Sequence, residues 1–95
     1  MENLKVPPQN IDAEQAVIGS MLLDNSCIEE IIDLITEKDF YNTAHQKIFK
    51  KIIEYYNRKE PADLITISGS LTKEQLENIG GIVYLSGLVD NIPSV

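Results

Sequence analysis

The sequence predicts an all-α fold, a compact bundle of about six short helices packed orthogonally around a central helix near residues 43–59. Apolar residues recur at three- and four-residue spacing along several segments, which is the period of a helix buried on one side. Several of these segments begin with a residue that can cap a helix N-terminus. No Asn-Gly or Asp-Gly pair, a frequent signal of a β-hairpin turn, occurs in the 95 residues.

Length and composition narrow the class of protein. Ninety-five residues suit one domain with one core, and 43% hydrophobic with 24% charged residues is ordinary for a globular protein. No apolar run approaches the roughly 18 residues of a membrane span, and the first residues lack a secretory signal. The single cysteine forms no internal disulfide. We therefore expect a cytoplasmic protein with no membrane partner.

The charge is acidic overall and unevenly distributed. A net charge of −7 argues against the whole domain binding a phosphate backbone. Residues 11–40 carry eight acidic side chains and one basic one, a net charge of −7. Residues 41–60 carry five basic and two acidic ones, a net charge of +3. An acidic face and a basic stripe suit contact with other protein surfaces.

The chain begins with a predicted extended arm, residues 1–10, which is polar and holds a Pro-Pro pair. The helical domain is predicted over residues 11–95. Asp12 is expected to cap its first helix, with Gln15 completing a capping box. The following AVIGSMLL is apolar almost all round, which indicates a buried helix, and Gly19 leaves room for another helix to approach closely.

Two shorter elements are expected next. The string S-C-I-E from Ser26 reads as a capping box that opens a helix to about Ile35. Residues 36–39 are predicted to form a single short turn. That turn would deliver Phe40 and Tyr41 to the core.

The longest predicted helix runs from Thr43 to Lys59. Its apolar residues cover about half of its circumference, and its charged residues fall on the opposite side. Thr43 and Gln46 are expected to cap it reciprocally. Pro61 bars continuation of the helix.

The segment after Pro61 is ambiguous between strand and helix. Ile65 and Ile67 alternate with polar residues as in a strand. Leu64, Ile67 and Leu71 also fit one helical face, and a lone strand would have little to pair with. We interpret it as a helix capped by Asp63.

The last two elements are also predicted to be helices. Thr72 and Gln75 form a further capping box, and Gly80-Gly81 stops that short helix in the left-handed conformation. Pro93 closes the final helix. One face of that helix is apolar and consists of Ile82, Leu85, Leu88, Val89 and Ile92.

The sequence contains no recognised catalytic, cofactor-binding or metal-binding pattern. The P-loop, H-E-x-x-H and C-x-x-C strings are all absent. Glu29, Glu30 and Asp33 can be read as cation ligands, but a solvated helix face explains them more simply. Cys27 lies among isoleucines, where a thiol behaves as a small hydrophobe.

His45 is the single histidine. It falls on the same side of the central helix as Ile48 and Ile52, so a packed histidine with one satisfied nitrogen is favoured over a general base. A small enzyme built around His45 and nearby carboxylates is the least favoured hypothesis.

The basic stripe of the central helix consists of Lys47, Lys50, Lys51 and Arg58. Glu54 lies one turn from both Lys50 and Arg58 and tempers the positive field. A solvated face or an acidic protein partner is favoured here. The alternative is a helical nucleic-acid-binding module that uses residues 47–59.

Several ordered strings carry a resemblance to a known family. They are the run from Pro7 to Gly19, Asp39-Phe40-Tyr41, the run from His45 to Phe49, the run from Asp63 to Thr66, the run from Gly80 to Leu85, and Pro93-Ser94. In this order and spacing they closely resemble the N-terminal domain of the bacterial replicative DNA helicase of the DnaB type. The resemblance covers roughly residues 6–94.

The resemblance implies a non-catalytic domain of a DNA-replication protein. In the family, a small helical bundle is joined to a RecA-like ATPase domain, which uses ATP and Mg²⁺ to unwind DNA. The ATPase motifs lie outside this sequence, so we expect no cofactor and no helicase activity from these residues. The implied location is the bacterial cytoplasm, in the nucleoid-associated replication machinery.

The resemblance also implies partners within the primosome. The N-terminal domains of the family form a collar on the hexameric ring as a trimer of dimers, bind the C-terminal domain of primase and influence loading by the helicase loader. Little direct DNA binding by this domain is expected. Related domains continue past the Pro-Ser pair with two long helices, which we expect collar assembly and full primase binding to need.

Two residues are candidates for partner contact. Asp12 opens the first helix with a carboxylate, and in related helicases this end of the domain faces primase. Tyr84 matches the tyrosine of the family's Gly-Gly-x-x-Tyr-Leu string, where an amphipathic ring suits a contact surface. The simpler readings are a plain N-cap for Asp12 and core packing for Tyr84.

Overall fold

A computed structural model describes residues 10–92, which form six α-helices and two 3₁₀-helices without a strand. The all-α prediction is confirmed for these residues. The predicted arm lies outside them, apart from Asn10, as does the closing Pro93. The 3₁₀-helices span Asn25–Cys27 and Glu37–Asp39. The α-helices are α1 (Ile11–Leu23), α2 (Ile28–Ile32), α3 (Thr43–Asn57), α4 (Leu64–Ser70), α5 (Lys73–Asn78) and α6 (Gly81–Asp90).

The core lies where α3 meets its neighbours. α3 packs against α1, α4 and the second 3₁₀-helix, and α6 packs against α1, α4 and α5. Ile48, Phe49 and Ile52 of α3 are buried, as the period of the sequence predicts. The other buried apolar side chains are Ile18, Met21, Leu22, Ile28, Phe40, Ala62, Ile67, Ile79, Leu85 and Leu88.

α1 and α6 approach each other at Gly19. A Cβ atom at Gly19 would lie 2.2 Å from the Leu88 carbonyl oxygen and 2.7 Å from Cδ1 of Ile92. Gln15 contacts Tyr84 one turn earlier in both helices, so α1 and α6 run in the same direction. The predicted close approach at Gly19 is confirmed.

The helix starts predicted at Asp63 and Thr72 are confirmed, and the short turn predicted at residues 36–39 begins with the same motif. All three starts are capping boxes, in which the N-cap side chain accepts from the backbone N–H three residues on and the side chain there accepts from the N-cap backbone N–H. The N-cap residues are Thr36, Asp63 and Thr72. For residues 64–70 the box decides the question of strand or helix. Thr66 Oγ1 accepts from the Asp63 N–H at 2.9 Å, and Asp63 Oδ1 accepts from the Thr66 N–H at 2.9 Å.

The predicted cap at Asp12 is wrong. α1 begins at Ile11 after Asn10, and no side chain caps it. Asp12 lies in the first turn, where a carboxylate still complements the helix dipole.

The predicted cap at Thr43 is also wrong. Asn42 caps α3 by accepting from the Ala44 N–H at 2.8 Å, since asparagine is the stronger N-cap and lies one residue earlier. Gln46 donates instead to the Phe40 carbonyl at 2.7 Å.

The second element is shorter than predicted because Asp24 captures Ser26. Asp24 Oδ1 accepts from both the backbone N–H and the hydroxyl of Ser26, at 3.0 and 2.6 Å. Ser26 is therefore occupied in a 3₁₀ turn and does not cap. α2 starts at Ile28 and ends at Ile32, short of the predicted Ile35.

Tyr41 does not enter the core. Phe40 is 3% exposed and Tyr41 60% exposed. Phe40 has an extended backbone, which sends successive side chains to opposite sides. The prediction is right for Phe40 and wrong for Tyr41.

Two helices, α3 and α5, are followed by residues with positive φ. α3 ends at Asn57, two residues before the predicted end. Lys59 has φ of 59°, and the N–H groups of Lys59 and Glu60 bond to the carbonyls of Tyr56 and Tyr55 at 3.0 Å each. This is a Schellman motif with lysine where glycine is usual. Gly80 and Gly81 also have positive φ, which confirms the predicted stop.

Candidate functional site: the groove between α1 and α6

A groove of about 470 Å³ lies between α1 and α6. The two candidate contact residues, Asp12 and Tyr84, both line it, Asp12 as an exposed side chain and Tyr84 as a half-buried one. The remaining lining residues are Gln15, Ala16, Val83, Gly87, Leu88, Asn91 and Ile92. The structure thus brings together two residues that are 72 positions apart in the sequence.

Tyr84 is held by hydrogen bonds from two sides. Its hydroxyl oxygen accepts from Gln15 Nε2 at 3.1 Å and lies 2.5 Å from Nε2 of His45. The rings of Tyr84 and His45 are nearly parallel, with centroids 5.9 Å apart. Tyr84 therefore presents a fixed ring in the groove while its hydroxyl is engaged behind it.

His45 is fully buried. Its Nδ1 lies 2.8 Å from Oε1 of Glu14, and its Nε2 faces Tyr84. Phe40 packs against its ring edge-on, with centroids 6.3 Å apart. The prediction of a packed histidine is confirmed, with partners on both nitrogens instead of the expected one.

Glu14 is the residue that sequence reasoning missed. Its carboxylate accepts from the backbone N–H groups of Tyr41 and Asn42 at 2.6 and 3.2 Å, in addition to its contact with His45. The available signal was its position one helical turn before buried Ile18, since an acid on an apolar helix face needs a partner.

The surroundings of Glu14 favour its charged form. Burial raises the pKa of its carboxyl, but the hydrogen bond from His45 and two backbone N–H groups together lower it more. The net result is a pKa below the ordinary value of 4.5.

The proton positions follow from an ionised Glu14. A carboxylate only accepts, so His45 Nδ1 must carry the hydrogen. In the neutral ring Nε2 is then an acceptor, and it accepts a hydrogen bond from the Tyr84 hydroxyl. The Tyr84 oxygen in turn accepts from Gln15, so each of the three hydrogen bonds that link these four side chains has one donor and one acceptor. We call these four residues the Glu14–Gln15 network.

The basic stripe is interrupted by carboxylates. Lys51 Nζ lies 3.3 Å from Glu54, and Lys50 Nζ lies 3.9 Å from Glu37. Arg58 lies over the ring of Tyr55 at 4.5 Å and 3.9 Å from Glu60. Glu54 therefore pairs with Lys51, and Arg58 pairs with Glu60. Lys47, Lys50 and Lys51 line a shallow groove beside α5.

The other chemical candidates remain apart. No group of three or more potential metal-ligating side chains occurs within residues 10–92, and Glu29, Glu30 and Asp33 are exposed. Burial raises the pKa of the half-buried Cys27 thiol, and the nearby Asp24 charge adds to that effect. None of the helices described is long and apolar enough to cross a membrane.

The fold and the groove define a small all-α domain in which a buried polar network sets one surface groove. A model of the family described as "DnaB-like helicase N terminal domain" matches residues 6–95. The chain belongs to this family, and the resemblance seen in the sequence is confirmed.

Individual relatives agree with this assignment. The chain is 45% identical over 91 residues to the replicative DNA helicase DnaB of Geobacillus stearothermophilus. It is 39% identical over 93 residues to the replicative DNA helicase DnaC of Bacillus subtilis (strain 168). These matches cover 95% and 97% of the chain but only 20% of each helicase.

A solved structure supports the fold as well. The crystal structure of the N-terminal domain of DnaB helicase from Mycobacterium tuberculosis matches with a TM-score of 0.86 at 39% identity. The match covers 94% of this chain and 65% of that one.

Proposed function

We propose that this domain acts in DNA replication as a non-catalytic protein-interaction and oligomerisation domain of a replicative helicase. The observation that carries the proposal is the groove between α1 and α6, in which Asp12 and Tyr84 stand on one surface. A fixed aromatic ring beside an exposed carboxylate suits recognition of a protein surface. The net charge of −7 disfavours a phosphate backbone as the main partner.

The proposed partners are the C-terminal domain of primase, the helicase loader and other copies of the same domain. Contact with copies would support the collar of a hexamer. ATP and Mg²⁺ would be bound by the ATPase domain of the helicase and not by these residues. The proposed location is the bacterial cytoplasm.

Binding of the cognate primase C-terminal domain to the full-length helicase, measured by isothermal titration calorimetry, tests the groove. Tyr84→Ala should weaken binding about thirtyfold, the effect of losing a buried aromatic contact residue. Asp12→Asn should weaken it about threefold, as for a charge at the rim. Asp33→Asn removes an exposed carboxylate on another surface and should change nothing.

The groove assignment fails if Tyr84→Ala binds primase as tightly as Asp33→Asn does. Circular dichroism and the unfolding midpoint of each variant separate lost contact from lost fold. Size-exclusion chromatography with light scattering on the same proteins tests the collar, which should keep its subunit number in the groove variants.

The runner-up, nucleic-acid binding through residues 47–59, gains no support from the geometry. Carboxylates lie against Lys50, Lys51 and Arg58, which lowers the local positive potential. Salt-dependent DNA binding by the 95-residue chain, lost in a Lys47→Ala, Lys51→Ala double variant, would revive it.

A further inference from the structure

We propose that buried His45 is a positioning residue which fixes Tyr84 in the groove and makes partner binding depend on the protonation state of the imidazole. This proposal rests on the proposed function of the groove. It concerns a residue that itself lies out of reach of any partner, since His45 is fully buried.

Among the described contacts of the Tyr84 hydroxyl, His45 is the fully buried partner. Its hydroxyl meets His45 Nε2 at 2.5 Å and Gln15 Nε2 at 3.1 Å. His45 comes from α3, Gln15 from α1 and Tyr84 from α6, so the network ties three helices at one point. The ring that lines the groove is thereby set by a side chain behind it.

Glu14 fixes the direction, from donor to acceptor, of the hydrogen bonds in the network. Its carboxylate is held by two backbone N–H groups and accepts from His45 Nδ1. Nε2 of neutral His45 is then free to accept the Tyr84 proton, and the Tyr84 oxygen is free to accept from Gln15. A partner in the groove meets a phenol whose proton points inward.

Protonation of His45 would change the roles of these hydrogen-bonding groups. Its Nε2 becomes a donor, so the Tyr84 oxygen would face two N–H donors, and its own proton must turn away from His45. The groups around His45 are Glu14 from α1, Tyr84 from α6 and the non-titrating Phe40 before α3. The pairing with Glu14 survives this change and Nε2 still bonds to the Tyr84 oxygen, but the Tyr84 proton loses His45 as its acceptor, at a cost of one hydrogen bond. We expect the partner to bind more tightly when His45 is neutral.

The first experiment is independent of any partner. His45 is the single histidine, so ¹⁵N-histidine labelling of the 95-residue chain gives one pair of imidazole nitrogen signals. Neutral His45 should be the Nδ1–H tautomer, and the same signals report at which pH the ring becomes protonated. A neutral Nε2–H tautomer, or a ring that keeps one protonation state wherever the chain stays folded, overturns the proposal.

The second experiment measures primase binding to the full-length helicase over the pH range in which those imidazole signals change. Wild-type affinity should fall about fivefold as His45 becomes protonated, the worth of about one hydrogen bond. Tyr84→Phe keeps the ring and removes the hydroxyl, so it should bind more weakly at high pH and lose the pH dependence. Tyr41→Phe makes the same change at an exposed phenol and should keep the wild-type profile.

The outcomes separate the two proposals. Identical pH profiles in wild type and Tyr84→Phe would mean that His45 only supports the fold, and the positioning role would be wrong. If primase binds at no pH to any of these proteins, the proposed function of the groove fails, while the imidazole signals still decide the tautomer and the titration.

Discussion

Asn25 and Ala62 are paired across 37 positions of sequence by two hydrogen bonds. Asn25 Nδ2 donates to the Ala62 carbonyl at 2.8 Å, and Asn25 Oδ1 accepts from the Ala62 N–H at 2.9 Å. Ala62 is fully buried, so a side chain supplies the partners that its backbone would otherwise lack. The pair fastens the connection between α3 and α4 to the end of α1.

Asn25→Ala should therefore destabilise the domain by about 2–4 kcal/mol, because it leaves a buried donor and a buried acceptor of Ala62 unsatisfied. Urea unfolding followed by circular dichroism measures the change. Asn57→Ala, at an exposed asparagine at the end of α3, is the control and should cost well under about 1 kcal/mol. Equal costs for the two variants would refute the role of the pair.

Gly19→Ala should destabilise the domain although alanine is the better helix former. The new Cβ would lie 2.2 Å from a backbone oxygen of α6, and relief needs movement of a whole helix. We expect a net cost of about 1–3 kcal/mol, the range of overpacked cores. Thermal unfolding by calorimetry provides the measurement.

Gly69→Ala is the matched control for this substitution. Gly69 lies in α4, and a Cβ there has nothing within 4 Å. The helix propensity of alanine should then stabilise the protein by up to about 1 kcal/mol. A destabilised Gly69→Ala together with an unchanged Gly19→Ala would contradict the packing of α1 on α6.

Lys59→Gly should stabilise the domain by about 0.5–1 kcal/mol. Lys59 has φ of 59°, and a left-handed conformation costs an L-residue roughly 1–2 kcal/mol, which glycine avoids at some entropic expense. Lys59→Ala removes the same charge but keeps the strained φ, so it should not gain stability. Chemical denaturation of both variants tests this, and a gain in Lys59→Ala alone would assign the effect to charge.

Protonation of Glu14 at acidic pH should destabilise the domain. Its folded pKa lies below the ordinary 4.5, so its contribution is fully present above the unfolded value. That contribution is lost as pH falls through the folded value. Urea midpoints should drop more steeply below pH 4.5 in the wild type than in Glu14→Gln. Parallel curves for the two proteins would show that Glu14 does not carry this dependence.

Locally encoded features of the fold were predictable from the sequence. The Asp63 and Thr72 boxes need only residues three positions apart, and the face of α3 needs only its period. Two capping predictions failed because a nearby acceptor competes. Asp24 takes the Ser26 donors, and Asn42 precedes Thr43. Neither outcome follows from the capping pattern alone.

The candidate site was predictable only in pieces. The resemblance points to Asp12 and Tyr84 separately, and the helical face of His45 predicts that it lies in the core. Their arrangement depends on contacts between α1, α3 and α6 that span 31 and 39 positions. No periodicity within one helix specifies which side chains meet across such distances.

The contact at Gly19 has a consequence for how this surface can vary. Because α1 and α6 touch through a backbone oxygen at Gly19, the spacing of the groove walls does not depend on the side chains at its rim. Asp12, Val83 and Asn91 can then be exchanged without altering that spacing. Rim substitutions therefore change the surface that the groove presents while the separation of the two helices stays the same.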